Sequence, residues 1–149
     1  MTILHELRHG LLSDSPERTR AVGRELATAL PENSVLALSG DLGSGKTTLV
    51  KGLAEGLGIS SSITSPTFTI YCLYSGTRQL LHMDAYRLQG GFQLEALALD
   101  DFLQSPFLIA VEWPENIPGF FDDLPSFGLQ LKILPDLKHH LLLQPPPVA

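Results

Sequence analysis

The hydrophobic and polar positions along the chain change their period several times. An apolar run covers residues 34–39 (SVLALS), and such a short run without alternation is typical of a strand covered on both faces in a parallel sheet. Similar runs predict strands at residues 107–113 (FLIAVEW) and 127–134 (FGLQLKIL), with a last strand at 139–144 (HHLLLQ). Residues 2–8 (TILHELR) predict a first strand. Short strands therefore recur along the whole chain.

Apolar residues at helical spacing occupy the segments between these strands. Residues 15–30 predict a helix, because Ser15 suits the N-cap and the proline that follows it suits the first turn. Residues 46–57 (KTTLVKGLAEGL) predict a second helix, which Gly58 ends as a C-terminal cap. Residues 92–103 (FQLEALALDDFL) predict a third, amphipathic helix.

One pair of strands is predicted to form a hairpin. Residues 67–74 (TFTIYCLY) are rich in β-branched and aromatic residues, and a turn at 75–79 connects them to the apolar run at 80–84 (LLHMD). Strands that alternate with helices predict an α/β fold with a mixed, mainly parallel sheet flanked by helices. We expect one domain over residues 1–144 and a flexible tail over 145–149.

Composition and charge exclude several classes of protein. The formal net charge is -6, and only 10 residues are Lys or Arg, which argues against direct binding of nucleic acid. The longest uncharged window, residues 56–77, contains Pro66 and many Ser, Thr and Gly residues, so it does not predict a membrane span. Cys72 is the single cysteine, so no internal disulfide can form. We expect a cytoplasmic protein.

A glycine-rich motif at residues 40–47 (GDLGSGKT) matches the phosphate-binding loop G-x-x-x-x-G-K-[ST] in full. The motif follows a predicted buried strand and opens a predicted helix, which is the context its chemistry requires. Its glycines allow the backbone N–H groups to surround an anion. Lys46 can reach the β- and γ-phosphates of a nucleotide, and the Thr47 hydroxyl can bind Mg²⁺. The motif therefore predicts a nucleoside triphosphate site.

Two acidic residues follow apolar runs at predicted strand ends. Asp84 ends the run at 80–84, and Glu112 ends the run FLIAVE. Ligands of open α/β sheets bind beyond the carboxyl ends of the strands, so either acid is a candidate for the metal or for orienting water. The pattern leaves this choice open. The polar segment at residues 65–67 (SPT) is either a switch-like loop or, as the pattern favours, a connecting loop.

The phosphate-binding loop does not identify the group that receives the terminal phosphate. Between Lys51 and Lys132 the chain has only two arginines, Arg78 and Arg87, and no stretch like the arginine-bearing lid of small-molecule kinases. Water therefore fits better as the acceptor, with slow turnover until a partner assists. A small-molecule kinase is the alternative, and a binding module whose ATP only sets its shape is a third possibility.

Four motifs together resemble the TsaE (YjeE) family. They are GDLGSGKTTLVKGLAEGLG, SPTFTI, HMDAYRL and VEWPE, in this order, and the resemblance runs from the helix near Glu17 to the strands after Phe127. It implies a P-loop NTPase-like domain that hydrolyses ATP with Mg²⁺ in the synthesis of tRNA threonylcarbamoyladenosine. It also implies a complex with the TsaD and TsaB proteins, which hydrolysis resets or activates, and contact with tRNA only through that complex.

The resemblance also assigns roles to individual residues. Those that it places against the nucleotide are Glu17, Gly43, Ser44, Gly45, Lys46, Thr47, Thr48, Thr67 and Trp113. Thr47 and Glu112 are implied as the Mg²⁺ ligands, and Asp84 as the other acid of the site. Lys46 and the two acids form the implied catalytic group, and Thr67 lies in the switch-like segment.

Overall fold

The structure is a computed structural model that describes residues 2–63, 71–88 and 99–144, except for the side chain of Asp100. It contains three helices and seven strands in these ranges. In chain order they are α1 (Ile3–His9), β1 (Leu11–Ser13), α2 (Pro16–Ala29), β2 (Ser34–Ser39), α3 (Lys46–Gly56), β3 (Tyr71–Tyr74), β4 (Gln79–Asp84), β5 (Phe107–Glu112), β6 (Ser126–Ile133) and β7 (His139–Leu143). Short 3-10 turns cover Leu99–Asp101 and Pro114–Asn116.

The seven strands form one sheet in the order β1-β7-β6-β2-β5-β4-β3. The four central strands, β6, β2, β5 and β4, run parallel, whereas β1, β7 and β3 pair antiparallel at the two sides. Ala37 of β2 pairs with Val111 of β5 on one side and with Gly128 of β6 on the other. The predicted α/β class, with a mixed sheet that is parallel through its centre, is confirmed, and so is the β3–β4 hairpin.

Alternate strand residues face two apolar layers. Residues such as Leu36, Leu80 and Leu108 pack with the helices on one face of the sheet. Their neighbours, such as Val35 and Ile109, pack on the other face with the segment after β5. Because the central strands are parallel, β2, β4 and β5 all end at the same edge of the sheet, where the candidate site lies.

The helices predicted at residues 15–30 and 46–57 are confirmed as α2 and α3. The Ser15 side chain accepts a hydrogen bond from the Arg18 backbone N–H at 3.1 Å, as expected of the N-cap of α2. After α3, Gly58 adopts a φ of +73°, the left-handed conformation that ends many helices. Glu55 of α3 accepts hydrogen bonds from Arg20 and Arg24 of α2, which lowers the pKa of its carboxyl, with the Arg20 bond as the larger cause.

The strand predicted at residues 2–8 is wrong, because this segment forms helix α1. The Thr2 hydroxyl accepts a hydrogen bond from the His5 backbone N–H at 3.2 Å and so caps the helix. Ile3 and Leu7 lie about one helical turn apart and are both buried, whereas His5, which a strand would place on the same face as these two residues, is exposed. The first strand is instead the short edge strand Leu11–Ser13.

Several predictions concern residues outside the described ranges. Residues 92–98 of the predicted third helix, 67–70 of the predicted first hairpin strand, and the predicted tail at 145–149 all lie there. The assignment of residues 1–144 to one domain stays a prediction. Within the described ranges, no helix is long and apolar enough to cross a membrane.

Candidate functional site

The phosphate-loop motif lies between the end of β2 and the start of α3. A Cβ added to Gly40 would fall 2.3 Å from the Leu131 carbonyl oxygen, so glycine is needed for the loop to pack against β6. Gly43 has a φ of +80°, and a Cβ there would meet no atom of the described residues within 4 Å, so the backbone faces open space. Gly45 is the N-cap of α3 and has no side chain to accept from the first helical turn. Those N–H groups therefore remain suited to an anion.

Lys46 is held over the loop by two contacts. Its side chain is buried, its Nζ donates to the Gly40 carbonyl at 2.6 Å, and Nζ lies 3.8 Å from the centroid of the Trp113 ring. Burial lowers the pKa of Lys46, while the nearby carboxylates of Glu112 and Asp84 oppose this shift. The ammonium therefore sits among acids at the edge of the sheet, beside the open part of the loop.

The two predicted acids lie next to each other because their strands are parallel neighbours. Asp84, the last residue of β4, pairs in register with Glu112, the last residue of β5. Glu112 is buried, and one of its carboxylate oxygens lies 2.6 Å from Nε2 of His82. Asp84 is half-buried and accepts a hydrogen bond from the Tyr86 backbone N–H at 3.0 Å. The two carboxylates thus have different surroundings, one in the protein interior and the other at its surface.

A cavity of about 240 Å³ opens between the loop and these acids. It is lined by Leu42, Gly43, Gly45, Lys46, Thr47, Thr48, Asp84, Glu112 and Trp113. All of these except Leu42 are residues that the sequence assigns to the site. The fold therefore brings the ends of β4 and β5 together with the phosphate loop, although they are far apart in the chain.

Trp113 connects the loop to the segments that follow both acidic strands. It has a φ of +60°, and its ring lies 5.1 Å from the Tyr86 ring in a tilted contact. The side-chain amide of Asn116 donates to the carbonyls of Ala85 and Tyr86, at 2.9 and 3.2 Å. These contacts hold the indole between Lys46 and Tyr86. Its position in the site is thus set by tertiary contacts on two sides.

A second cavity, of about 250 Å³, lies on the other side of the loop. It is lined by Asp14, Ser15, Pro16, Thr19, Gly43, Gly45, Thr48, Leu137 and His139. Gly43, Gly45 and Thr48 line both cavities, so the two spaces meet at the phosphate loop. Together they provide room on both sides of the backbone that would surround a phosphate chain.

Among the described residues assigned to the nucleotide, Ser44 and Glu17 line neither cavity. Ser44 is buried, and its hydroxyl has no hydrogen-bond partner in the described part of the chain. Glu17 is exposed in the first turn of α2, beside the lining residues Ser15 and Pro16. Thr67 lies outside the described residues. The roles of these three residues stay predictions.

Two histidines that the sequence patterns did not single out contact the site. His82 precedes Asp84 by two residues, so the period of a strand places both on one face, and this spacing could have identified it. Nδ1 of His139 lies 2.6 Å from the Ser44 carbonyl oxygen, although the two residues are 95 positions apart. No local signal could have revealed the His139 contact, because it depends on the position of β7 in the sheet.

The donor atoms around the first cavity suit a magnesium ion bound together with a phosphate. Thr47, Asp84 and Glu112 supply a hydroxyl and two carboxylates, which are hard oxygen ligands. Among the described residues, no group of three or more His, Cys, Asp or Glu side chains could hold a metal by itself. Mg²⁺ usually takes one or two carboxylates plus waters and substrate phosphates rather than an all-protein cage. The set therefore fits a metal that arrives with a nucleotide.

Comparison with known proteins gives concordant matches. The family model of threonylcarbamoyl adenosine biosynthesis protein TsaE matches residues 13–139. The tRNA threonylcarbamoyladenosine biosynthesis protein TsaE of Bacillus subtilis (strain 168) is 42% identical over 120 residues, which cover 80% of this chain and 73% of that protein. The TsaE protein of Treponema pallidum (strain Nichols) is 37% identical over 127 residues, covering 84% and 92%.

A solved structure is similar to this one as well. The crystal structure of YdiB from Bacillus subtilis superposes with a TM-score of 0.65 at 34% sequence identity. The match covers 89% of this chain and 81% of that one. The similarity therefore extends over nearly all of the sheet and helices described above.

Proposed function

The chain belongs to the TsaE family, and from that membership we propose that it is an ATP-hydrolysing subunit of the machinery that makes threonylcarbamoyladenosine in tRNA. The observation that carries the proposal is the first cavity, which the phosphate loop lines together with Lys46, Asp84 and Glu112. A lysine, two acids and an open loop backbone are the groups that P-loop enzymes use in phosphoryl transfer. In this proposal, hydrolysis resets or activates a complex of the TsaB and TsaD proteins.

In this proposal, the residues of the first cavity have separate roles in binding the phosphates, holding the metal and orienting water. The loop backbone and the N-terminus of α3 bind the phosphates, and Lys46 exchanges the Gly40 carbonyl for oxygens of the β- and γ-phosphates. Thr47 and Glu112 hold Mg²⁺, which neutralises charge on the phosphates when it is bound. Asp84 or Glu112 orients a water molecule for in-line attack on the γ-phosphate. The phosphoryl group therefore passes to water.

The second cavity accommodates the rest of the nucleotide in this proposal. It meets the first at Gly43, Gly45 and Thr48, so a ligand whose phosphates occupy the loop can extend past α2 and the β6–β7 hairpin. Glu17 lies close to this path, in the first turn of α2. Thr67 is proposed to approach the γ-phosphate from the switch-like segment.

The alternative of a small-molecule kinase is weakened by a contact of Arg78. Its guanidinium donates to the Leu30 carbonyl at 2.7 Å, so this arginine stabilises the fold. A kinase needs cations that close over the transferring phosphoryl group, and Arg78 is one of only two arginines in the middle of the chain. Hydrolysis remains the better proposal.

Release of inorganic phosphate from MgATP tests the proposed function. We expect slow release by the purified chain alone and a clear increase when the TsaB and TsaD proteins of the same organism are added. TsaB and TsaD without this chain serve as the control for contaminating activity. Phosphate that appears on a small-molecule acceptor would favour the kinase, and a release rate that the partners leave unchanged would contradict partner-gated hydrolysis.

Alanine variants of the two acids distinguish their proposed roles. We expect Glu112→Ala to remove most of the increase in nucleotide affinity that Mg²⁺ produces, because a proposed metal ligand is lost. Asp84→Ala should reduce this increase much less, while it still slows phosphate release. Titration of a fluorescent ATP analogue, with and without Mg²⁺, measures both effects. Equal metal dependence in the two variants would remove the assignment of the metal to Glu112.

A further inference from the structure

We propose that His82 is a positioning residue of the metal site and that its ring holds the Glu112 carboxylate in the orientation that binds Mg²⁺. The inference rests on the proposed function, because it takes Glu112 as a metal ligand. Partners that orient a ligating carboxylate are a regular part of metal sites, and their removal typically costs roughly 10–100-fold in metal affinity or activity. His82 touches neither cavity, so its effect acts through Glu112.

The geometry of the sheet aims His82 at Glu112. His82 and Asp84 lie on the same face of β4, and their register partners in β5 are Ala110 and Glu112. Nε2 of His82 is 2.6 Å from a Glu112 carboxylate oxygen, and both side chains are buried. A carboxylate oxygen accepts, so Nε2 is the donor in this bond. Because Glu112 also lines the first cavity, this contact connects His82 to the cavity wall.

The other ring nitrogen of His82 shows that packing alone does not explain this residue. Nδ1 is buried and has no hydrogen-bond partner in the described ranges. A buried polar atom without a partner costs stability, and a leucine or phenylalanine at this position would avoid that cost. The neighbouring residues Leu80, Leu81 and Met83 are all buried and apolar. His82 is thus a fully buried polar residue within the apolar centre of β4, and its described polar contact is with Glu112.

The bond can orient Glu112 without preventing metal binding. A carboxylate has about four lone-pair positions, and one donor uses only one of them. The His82 donor restrains the carboxylate through one of these positions, and a cation can bind the group through another. An unheld glutamate side chain would instead lose rotamer entropy each time that it bound the metal. His82 therefore prepares the site before the nucleotide arrives.

Three substitutions separate positioning from packing. His82→Phe keeps a ring but removes the donor, and His82→Asn places an amide near Nδ1. His82→Gln places an amide nitrogen near Nε2 and so restores the donor. We expect the Phe and Asn variants to lose roughly 10–100-fold of the Mg²⁺-dependent gain in affinity for a fluorescent ATP analogue. The Gln variant should retain most of the gain, and affinity without Mg²⁺ should be unchanged in all three.

Asn and Gln bury the same amide group, but only Gln restores the bond to Glu112, so the unfolding temperature of each variant is measured beside its titration. The Phe variant provides the test if the Asn variant does not fold. In a Glu112→Ala background, His82→Phe should cause no further loss. Equal losses in the Gln and Phe variants, an unchanged gain in the Phe variant, or a full further loss in the Glu112→Ala background would each overturn the inference.

The same titrations distinguish failure of this inference from failure of the proposed function. If Mg²⁺ raises nucleotide affinity and Glu112→Ala removes the effect, but His82→Phe does not, only the role of His82 is wrong. If the wild-type affinity does not depend on Mg²⁺, the proposed metal site and the role of His82 fail together. If the His82 variants behave as expected but no phosphate is released with the partner proteins, the positioning role stands and hydrolysis does not.

Discussion

Replacing Lys46 with alanine is expected to lower the affinity for MgATP by roughly 10- to 100-fold and to abolish measurable phosphate release, because hydrogen bonds to charged groups contribute about 1.5–3 kcal/mol each. Lys46 is the cation of the first cavity, and its ammonium lies next to the open part of the phosphate loop. Without it, the β- and γ-phosphates lose their positive partner both in the bound state and during transfer. Calorimetric titration with MgATP and a phosphate-release assay measure the two effects.

The same substitution should not weaken the fold. Burial lowers the pKa of Lys46, which means that the folded state disfavours the charged side chain relative to the unfolded state. Below the lowered pKa the ammonium therefore carries a folding penalty, and this penalty disappears as the pH rises or when alanine replaces the residue. We expect the unfolding temperature of Lys46→Ala at neutral pH to be no lower than that of the wild type.

Lys51 provides the matched control for Lys46. It lies on the same helix, α3, but is exposed and lines neither cavity. Lys51→Ala should leave both MgATP affinity and phosphate release near the wild-type values. A Lys46→Ala variant that binds and turns over MgATP as the wild type does would refute the assignment of this lysine to the phosphates.

Replacing Gly52 with alanine is expected to destabilise the fold by about 1–3 kcal/mol, the usual cost of overpacking a well-packed interface. A Cβ on Gly52 would lie 2.1 Å from the Arg20 carbonyl oxygen and 3.0 Å from the Arg20 Cα, so α2 would have to move away from α3. Alanine favours a helix over glycine by about 1 kcal/mol, but that gain is outweighed because the clash is with backbone atoms. Thermal unfolding should show a decrease of roughly 2–12 °C.

Gly128 provides the control for a glycine without such a contact. It lies in β6, and a Cβ there would meet only the Gln144 side chain, at 3.5 Å, which is an ordinary contact. Gly128→Ala should therefore leave the unfolding temperature unchanged or raise it slightly, since alanine reduces the freedom of the unfolded chain. If Gly52→Ala unfolded at or above the temperature of Gly128→Ala, the close packing of α2 on α3 would be contradicted.

Helix α1 shows where prediction from sequence pattern failed. The segment TILHELR has apolar residues at spacings that suit either a short strand or a short helix. Helical packing of Ile3 and Leu7 into the core beneath the helices decides between them, together with the cap from Thr2. In a seven-residue element, local preference is too weak to decide, and burial against the rest of the fold determines the outcome.

The sequence by itself determined the local elements of the site, because each is encoded within a few adjacent residues. The loop at residues 40–47, the cap at Ser15 and the apolar runs that end in Asp84 and Glu112 are all of this kind. Each follows from backbone conformation, hydrogen bonding of one turn, or the period of one strand. The sequence therefore predicted which side chains are the candidates for the chemistry of the site.

Only the tertiary structure decided how these elements meet. The order of strands places β4 beside β5, so that Asp84 and Glu112 lie in register and His82 contacts Glu112. The same order brings His139 of β7 to the phosphate loop across 95 residues. Such contacts depend on which strands become neighbours, and that choice is made by burial of the whole sheet against its helices. No short stretch of the chain encodes it.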